Sequence, residues 1–471
     1  MAKFHRVWSI LLLLTVALVL VWRNLQQAQR LAQPQISSRS SSSRSSLSIY
    51  NQPNESLYTT ERYYEDYPQI EHPPIPPLTP RGQILQQLLK CRSRNLTFAR
   101  LQHGEYWLLQ NLIIGRKSRL MRCTESITYT TNGDYKFFDN LEMVAERWRA
   151  PISFAIHAPG YDLNTTLDSI QYVKNCLPGS EYINDYVTFH VYFSNLHMPE
   201  YVPYDEAAVL ERPYFCELKN GTKAPPPWTL IPREAMYKMS ANLTYPINVG
   251  RNIARQAATT YFIFACDIEL YPSLGFVEQF LDMVAANHSI LALDPQQPRR
   301  VYPLPVFEIE SGAPIPNDKA ELLALYRDGR AQPFHMKMCF SCHTVPGQQD
   351  WLNRAPSVTD ELRVWSISLR EKDFKYWEPF YVSDNQEPMF DERVTWEGQS
   401  NKRIQNYAMC LLGYEYHVLH PAYLVHSPGI KKNASSKSSR RTFAREMTRF
   451  IKKKVEPEYQ VLYGRKNACV T

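Results

Sequence analysis

Tyr261-Phe-Ile-Phe-Ala-Cys266 runs without a charge and stops on Asp267-Ile268-Glu269. A short apolar run bounded by charge reads as a buried strand of a parallel sheet. Side chains alternate along a strand, so Asp267 and Glu269 are expected to point the same way. Open α/β sheets bind ligands beyond the carboxyl ends of their strands. Two hard carboxylates there suit Mn²⁺ or Mg²⁺ bridging a diphosphate. Loop carboxylates with no ligand are the plainer reading of the same residues.

Working outward, the preceding segment Pro246-Ile-Asn-Val-Gly-Arg-Asn-Ile-Ala-Arg-Gln-Ala257 reads as a helix with proline at its first turn. Ile247, Ala254 and Ala257 fall on one side, leaving Arg251, Asn252 and Arg255 for another. Further upstream, Pro151–His157 and Tyr186–Phe193 read as strands, with a helix over Leu167–Cys176 between them. This β-α-β rhythm predicts an α/β fold with a parallel sheet and helices on its faces.

Composition agrees. The chain has 471 residues, 44% hydrophobic and 21% charged, which excludes a wholly disordered, collagenous or miniature disulfide protein. Only 16 glycines and no internal period argue against a propeller or solenoid. The net charge of +7 is a mild surplus. Much of it gathers in the run 431–454, which includes Arg440, Arg441, Lys452, Lys453 and Lys454. Such a run attracts an acidic glycan or a membrane surface, or is simply a solvated amphipathic tail.

Residues 1–6 read as a cytoplasmic tail and 7–22, VWSILLLLTVALVLVW, as an apolar segment. A cleaved signal and an uncleaved anchor both fit. The poor cleavage site after Arg23 favours a type II signal anchor, and its shortness suits an early secretory membrane. Residues 23–85, rich in serine and then proline, read as a disordered stem, and 86–471 as a lumenal catalytic domain. Sequons at Asn54, Asn95, Asn164, Asn220, Asn242, Asn287 and Asn433 make seven, against roughly three expected by chance. All follow the apolar segment, as N-glycosylation of a lumenal glycoprotein requires. A lumenal chain is also not expected to bind nucleic acid.

Nine cysteines leave at least one unpaired, and Cys266, in its apolar run, is the expected free thiol. Cys339 and Cys342 form a CxxC. His343 alone does not complete a zinc site, so a structural disulfide is expected, within the pair or to other cysteines.

Two blocks of motifs carry a family resemblance. The first is Tyr245-Pro-Ile-Asn248 … Arg251-Asn252 … Ala254-Arg255 … Asp267-Ile-Glu269 … Pro272-Ser273. The second is Tyr376–Tyr381, Pro388-Met-Phe-Asp-Glu-Arg393, Asn401-Lys402, Gly413-Tyr414, His417–Leu419 and Ala422–His426. Together they resemble the glycosyltransferase family of the dystroglycan-priming β-1,4-glucuronyltransferase. That family also holds the second catalytic domain of the LARGE xylosyl/glucuronyltransferases.

The resemblance implies a GT-A (Rossmann-like) domain, behind a single N-terminal transmembrane helix, that transfers a sugar with inversion. It implies Asp267, Glu269 and His426 as ligands of Mn²⁺, with Mg²⁺ as the substitute. Asn248, Arg251 and Asn252 would line the donor site. Asp391 or Glu392 would be the catalytic base, Asp391 being preferred. The implied reaction moves glucuronate from UDP-glucuronate to a xylose-terminated O-mannosyl glycan on a secretory glycoprotein, in the Golgi membrane. Another UDP-sugar donor, xylose or N-acetylglucosamine, or a non-catalytic glycan-binding paralogue, are the alternatives. The family also admits homo-oligomers, or hetero-oligomers with other glycosyltransferases. Two departures bear on specificity: Glu269 stands where the family has aspartate, and Trp396–Lys402 replaces a glycine-rich stretch. Trp377 and Trp396 either stack on sugars or pack in the core.

Overall fold

The computed structural model describes residues 77–337, 339–355, 360–430 and 438–471. The chain enters through helix α1 (Pro80–Leu89), which begins inside the stretch read as stem and buries Leu85 and Leu89. Its Thr79 hydroxyl caps the first turn by accepting from Gly82 N. A hairpin follows, β1 (Ala99–His103) and β2 (Tyr106–Ile113). Next come β3 (Ile127–Gly133), β4 (Ile152–His157), helix α2 (Asp162–Asn175) and β5 (Val187–Ser194). Helix α3 (Ile247–Ala257) leads into β6 (Phe262–Ala265), β7 (Leu270–Pro272) and α4 (Phe276–Ala286). The second half holds β8 (Arg300–Leu304), β9 (Val306–Ile309), β10 (Ala331–Pro333), β11 (Arg363–Ser368) and β12 (Phe380–Ser383). It closes with α5 (Arg403–Leu412), β13 (Glu415–His420), β14 (Leu424–His426), α6 (Ser438–Phe450) and α7 (Glu456–Tyr463).

The architecture is mixed α/β. Ten strands form one sheet in the order β1-β2-β5-β4-β3-β6-β12-β8-β13-β11, and four form a second, β10-β9-β14-β7. The centre is parallel: β5 to β4, β4 to β3, and β3 to β6. The strands and helices expected over 151–193 and 246–266 are present, with ends shifted by a few residues. Parallel strands are buried on both faces, which explains the unbroken apolar run Phe262-Ile-Phe264. Trp148 stacks on Phe264, and Phe276 packs on both. Burying each such ring contributes roughly 1.5–3 kcal/mol.

Helix α3 lies against β3, β4 and β5. Its approach requires Gly250: a Cβ there would sit 2.7 Å from Tyr192 Oη and 2.9 Å from Asn132 Cβ. A buried chain locks it from beneath. Asn111 N–H donates to His190 Nδ1 at 2.8 Å, so His190 Nε2–H faces the Ser153 hydroxyl at 2.9 Å. That hydroxyl donates to Ala254 O at 2.8 Å.

Four disulfides form: Cys91–Cys123, Cys176–Cys216, Cys339–Cys342 and Cys410–Cys469. Cys266 is the free thiol, buried as expected. The CxxC therefore closes on itself.

One expectation is corrected. Among the described residues no helix is long and apolar enough to cross a membrane. Among the described residues the longest stretch that is wholly α-helix, Asp162–Asn175, has 14 residues, about 21 Å at 1.5 Å per residue against a ~30 Å hydrocarbon core. The longer helical run from Ser438 to Tyr463 is too highly charged to be a span. The reading as a single-pass type II Golgi membrane protein is withdrawn on that finding. The segment 7–22 assigned as its anchor lies outside the described residues, as do Asn54 and Asn433. Of the remaining sequons, Asn95, Asn220, Asn242 and Asn287 are exposed, while Asn164 is half-buried in α2.

Candidate active site

The parallel strands β3, β4, β5 and β6 end on the same side, and Asp267 follows β6 there. The strand stops at Ala265, and Leu270 N donates to Asp267 O across a turn. Strand alternation therefore does not govern Asp267 and Glu269, and the two carboxylates meet different partners. Asp267 Oδ1 accepts from Arg251 Nη2 at 2.9 Å, and Oδ2 from Lys402 Nζ at 3.0 Å. Burial alone would raise the Asp267 carboxyl. Lys402 and Arg251 override it and hold the group well below the usual carboxylate range. Lys402 Nζ also sits 3.7 Å over the Phe380 ring.

Glu269 reaches His426 instead, Oε2 to Nε2 being 3.7 Å. Sheet register does this: His426 of β14 pairs with Leu270 of β7, and Ser427 N donates to Glu269 O at 2.7 Å. His426 Nδ1 lies 2.8 Å from Ser427 O, and a carbonyl can only accept. Nδ1 therefore carries a proton, and Nε2 faces the Glu269 carboxylate. An imidazole and a carboxylate side by side are donor types that Mn²⁺ accepts when the imidazole is neutral. Asp267 does not join them, and among the described residues no group of three or more His, Cys, Asp or Glu is placed to hold a metal ion.

The polar residues expected on the far side of α3 prove buried, all with partners. Asn248, Arg251, Asn252 and Arg255 stand at i, i+3, i+4 and i+7, one stripe of the helix. They grip the 385–401 loop along its length. Arg255 is fully buried and bonds Asn385 Oδ1, Glu387 O, Pro388 O and the Glu387 carboxylate. Asn252 pairs with Phe390 through O and N–H. Asn248 Nδ2 donates to Asp391 O and Asn401 O. Arg251 also reaches Asn248 Oδ1 and Asn401 Oδ1. One helix face thus ties the strand-end carboxylate to the loop that carries the acidic motif.

That loop separates its two acids. The Asp391 carboxylate is buried and accepts from Arg393 N, Nε and Nη2, and from Tyr459 Oη at 3.3 Å. Glu392 is one-third exposed, at 34% of its side chain. Its Oε1 accepts from Asn252 Nδ2 at 2.8 Å and pairs with His103 Nε2 at 2.7 Å. The geometry favours Glu392 over Asp391 as the accessible carboxylate.

Sequence reasoning did not find His103, because it comes from the distant β1–β2 hairpin and belongs to no motif. Nor did it place His343, which burial and then Lys402 push down to about 3. Trp377 is a core residue, fully buried. Trp396 is exposed at 38%, and its backbone N–H donates to Tyr245 O, the residue before α3's proline.

A parallel-centred α/β sheet with an acidic strand end and a partly exposed glutamate beside it is a frame for group transfer. The chain belongs to the glycosyltransferase family described as "Glycosyl-transferase for dystroglycan", matched over residues 126–464. The resemblance drawn from the two motif blocks is borne out at that level. The chain is 28% identical over 331 residues to β-1,4-glucuronyltransferase 1 of Danio rerio, covering 69% of this chain and 72% of that one. It is 28% identical over 190 residues to the Homo sapiens β-1,4-glucuronyltransferase 1, covering 40% and 42% of the two chains. Against xylosyl- and glucuronyltransferase LARGE1 of Homo sapiens it is 28% identical over 186 residues, covering 39% of this chain and 22% of that one.

Proposed function

We propose that this glycosyltransferase is an inverting, glucuronyltransferase-like enzyme that takes its sugar from a UDP donor. A xylose-terminated glycan is the acceptor that the family resemblance implies. The observation that carries this reading is the state of Glu392. One oxygen is clamped by two donors, while the side chain stays partly open to solvent. A general base needs that combination of fixed direction and access. Glu392 would remove the proton from the acceptor hydroxyl as its oxygen bonds to the anomeric carbon. The bond from that carbon to the diphosphate oxygen breaks, and the diphosphate leaves with the electron pair. Lys402 and Arg251 put positive charge at the strand ends, where it would offset the leaving group's charge. Glu269 and His426 would hold Mn²⁺, or Mg²⁺ in its place. Such an ion, when bound, neutralises a departing nucleoside diphosphate.

The names of the relatives support glucuronate as the donor sugar. Xylose or N-acetylglucosamine would keep the mechanism and change the contacts. A second reading, a non-catalytic glycan-binding protein, is favoured by one observation: Asp267 is saturated by two cations rather than grouped with Glu269 and His426.

The test is UDP release by the full chain with UDP-glucuronate, UDP-xylose or UDP-N-acetylglucosamine, a β-xyloside acceptor, and Mn²⁺ or chelator. Glu392→Gln should lower turnover about 10²- to 10⁴-fold while leaving UDP-sugar binding intact. Full activity in that variant would remove Glu392 as the base. No turnover of any donor by folded wild-type protein would favour the binding-protein reading.

A further inference from the structure

His103 lies outside the matched residues 126–464, on the tip of the β1–β2 hairpin that follows helix α1. That tip is rigid. His103 pairs with Tyr106 across a two-residue turn, Gly104-Glu105, and Gly104 takes φ +57°, which suits glycine. Asn195 N donates to Glu105 O at 2.9 Å, fastening the turn to the end of β5. Tyr106 packs edge-on against Tyr192 at 5.7 Å and His157 at 6.4 Å, on an aromatic floor that Gly250 of α3 also touches.

The hairpin delivers the imidazole to Glu392 Oε1, the same oxygen that Asn252 of α3 holds. A carboxylate oxygen accepts, so His103 Nε2 carries the proton. Both donors converge on Oε1, leaving Oε2 as the oxygen available to an acceptor hydroxyl. We propose that His103 is a positioning residue: with Asn252 it fixes the rotamer of Glu392 so that Oε2 faces the acceptor. This rests on the transferase reading above. It adds that the base is built from two parts of the chain, the loop that supplies it and a remote hairpin that aims it. Supporting this, the hydrogen bond to Glu392 raises the His103 imidazole above its ordinary value, against the opposing effect of burial. The charged group acting on it is Glu392 from the loop. Asn252 of α3 shares that carboxylate oxygen, and Tyr106 is the pairing partner of His103 across the hairpin.

The experiment compares wild type, His103→Ala and His103→Gln in the full chain. Glutamine keeps an N–H donor. A base mis-aimed by about 1 Å loses on the order of 10²-fold in rate. His103→Ala should therefore lose about 10- to 100-fold in kcat with the donor KM within about twofold, and His103→Gln should recover most of that loss. Equal kcat in wild type and His103→Ala overturns the proposal, and so does His103→Gln as slow as His103→Ala. A second measurement does not need turnover: the ring resonances of His103 followed against pH. Their midpoint should lie above the ordinary histidine value and fall back towards it in Glu392→Gln. A midpoint unmoved by Glu392→Gln overturns the contact. Wild-type protein that turns over no donor overturns the transferase reading, and the positioning role with it, even where the titration shows the contact.

Discussion

Asp267 carries Arg251 on one oxygen and Lys402 on the other, at 2.9 and 3.0 Å. Replacing it by asparagine removes the charge and keeps the shape. Asp267→Asn should lower transfer, because Lys402 and Arg251 lose the carboxylate that holds them at the strand ends, while destabilising the protein by about 1–3 kcal/mol. Donor binding, turnover and thermal melting separate those effects, and undiminished activity would take Asp267 out of the site. Glu387 shows the other extreme. It and Arg255 are both fully buried, and their ion pair lies 3.1 Å apart. Arg255→Met leaves that carboxylate uncompensated, so unfolding by denaturant should report a loss of about 3–5 kcal/mol. At this scale the residue types were readable from sequence, but their partners were not. Asp391 and Glu392 are adjacent acids, and only Arg393 and Tyr459 on one side, against Asn252 and His103 on the other, tell them apart.

Helix α3 does two jobs at the scale of an element. Its polar stripe holds the 385–401 loop, while Gly250 lets the helix sit close on β3 and β5. Gly250→Ala would push a methyl into Tyr192 Oη and Asn132 Cβ. The expected outcome is about 1–3 kcal/mol of destabilisation, with turnover falling further than stability because Asn252 moves away from Glu392. Chemical denaturation and a kcat measurement on the same variant check this. The helix itself was legible from its apolar spacing and Pro246. That its polar face would be buried was not, because amphipathic periodicity reports two faces without saying what covers the second. Glu269 and His426 likewise met through strand register, which no local pattern encodes.

At the scale of the whole molecule, His157 and His190 are pushed down to about 3 by burial, with Lys238 adding to the effect at His157. In the unfolded chain each would titrate near 6.5. Between roughly pH 6.5 and 3 the unfolded state binds more protons, so stability falls as pH falls through that window. Asp162 and Asp384, raised to about 6 chiefly by burial, act in the opposite direction between roughly pH 6 and 4. His343 and His420, pushed down to about 3 chiefly by burial, add to the imidazole side. The melting temperature should therefore begin to drop just below pH 6.5, where the imidazoles outweigh the aspartates. A scan of melting temperature against pH checks it, and a flat profile from pH 7 to 6 would contradict the buried neutral imidazoles. The Cys410–Cys469 bridge closes 59 residues and ties α5 to the C-terminal segment that carries Tyr459. Replacing both cysteines by serine should lower stability by about 2–4 kcal/mol, measured by denaturant titration under non-reducing conditions.

Sequence by itself determined the α/β class, the buried strand before Asp267, the helix before that strand and the free Cys266. Each rests on hydrophobic run length or periodicity, which are local properties of a chain. It also determined the family, because the motif residues keep their order. Tertiary structure alone decided that Asp267 serves Arg251 and Lys402 while Glu269 serves His426, and that Glu392 rather than Asp391 faces outward. It alone brought His103 across 289 residues of chain to meet Glu392. Those outcomes depend on sheet register and on which surfaces pack together, and neither is written in the spacing of neighbouring residues.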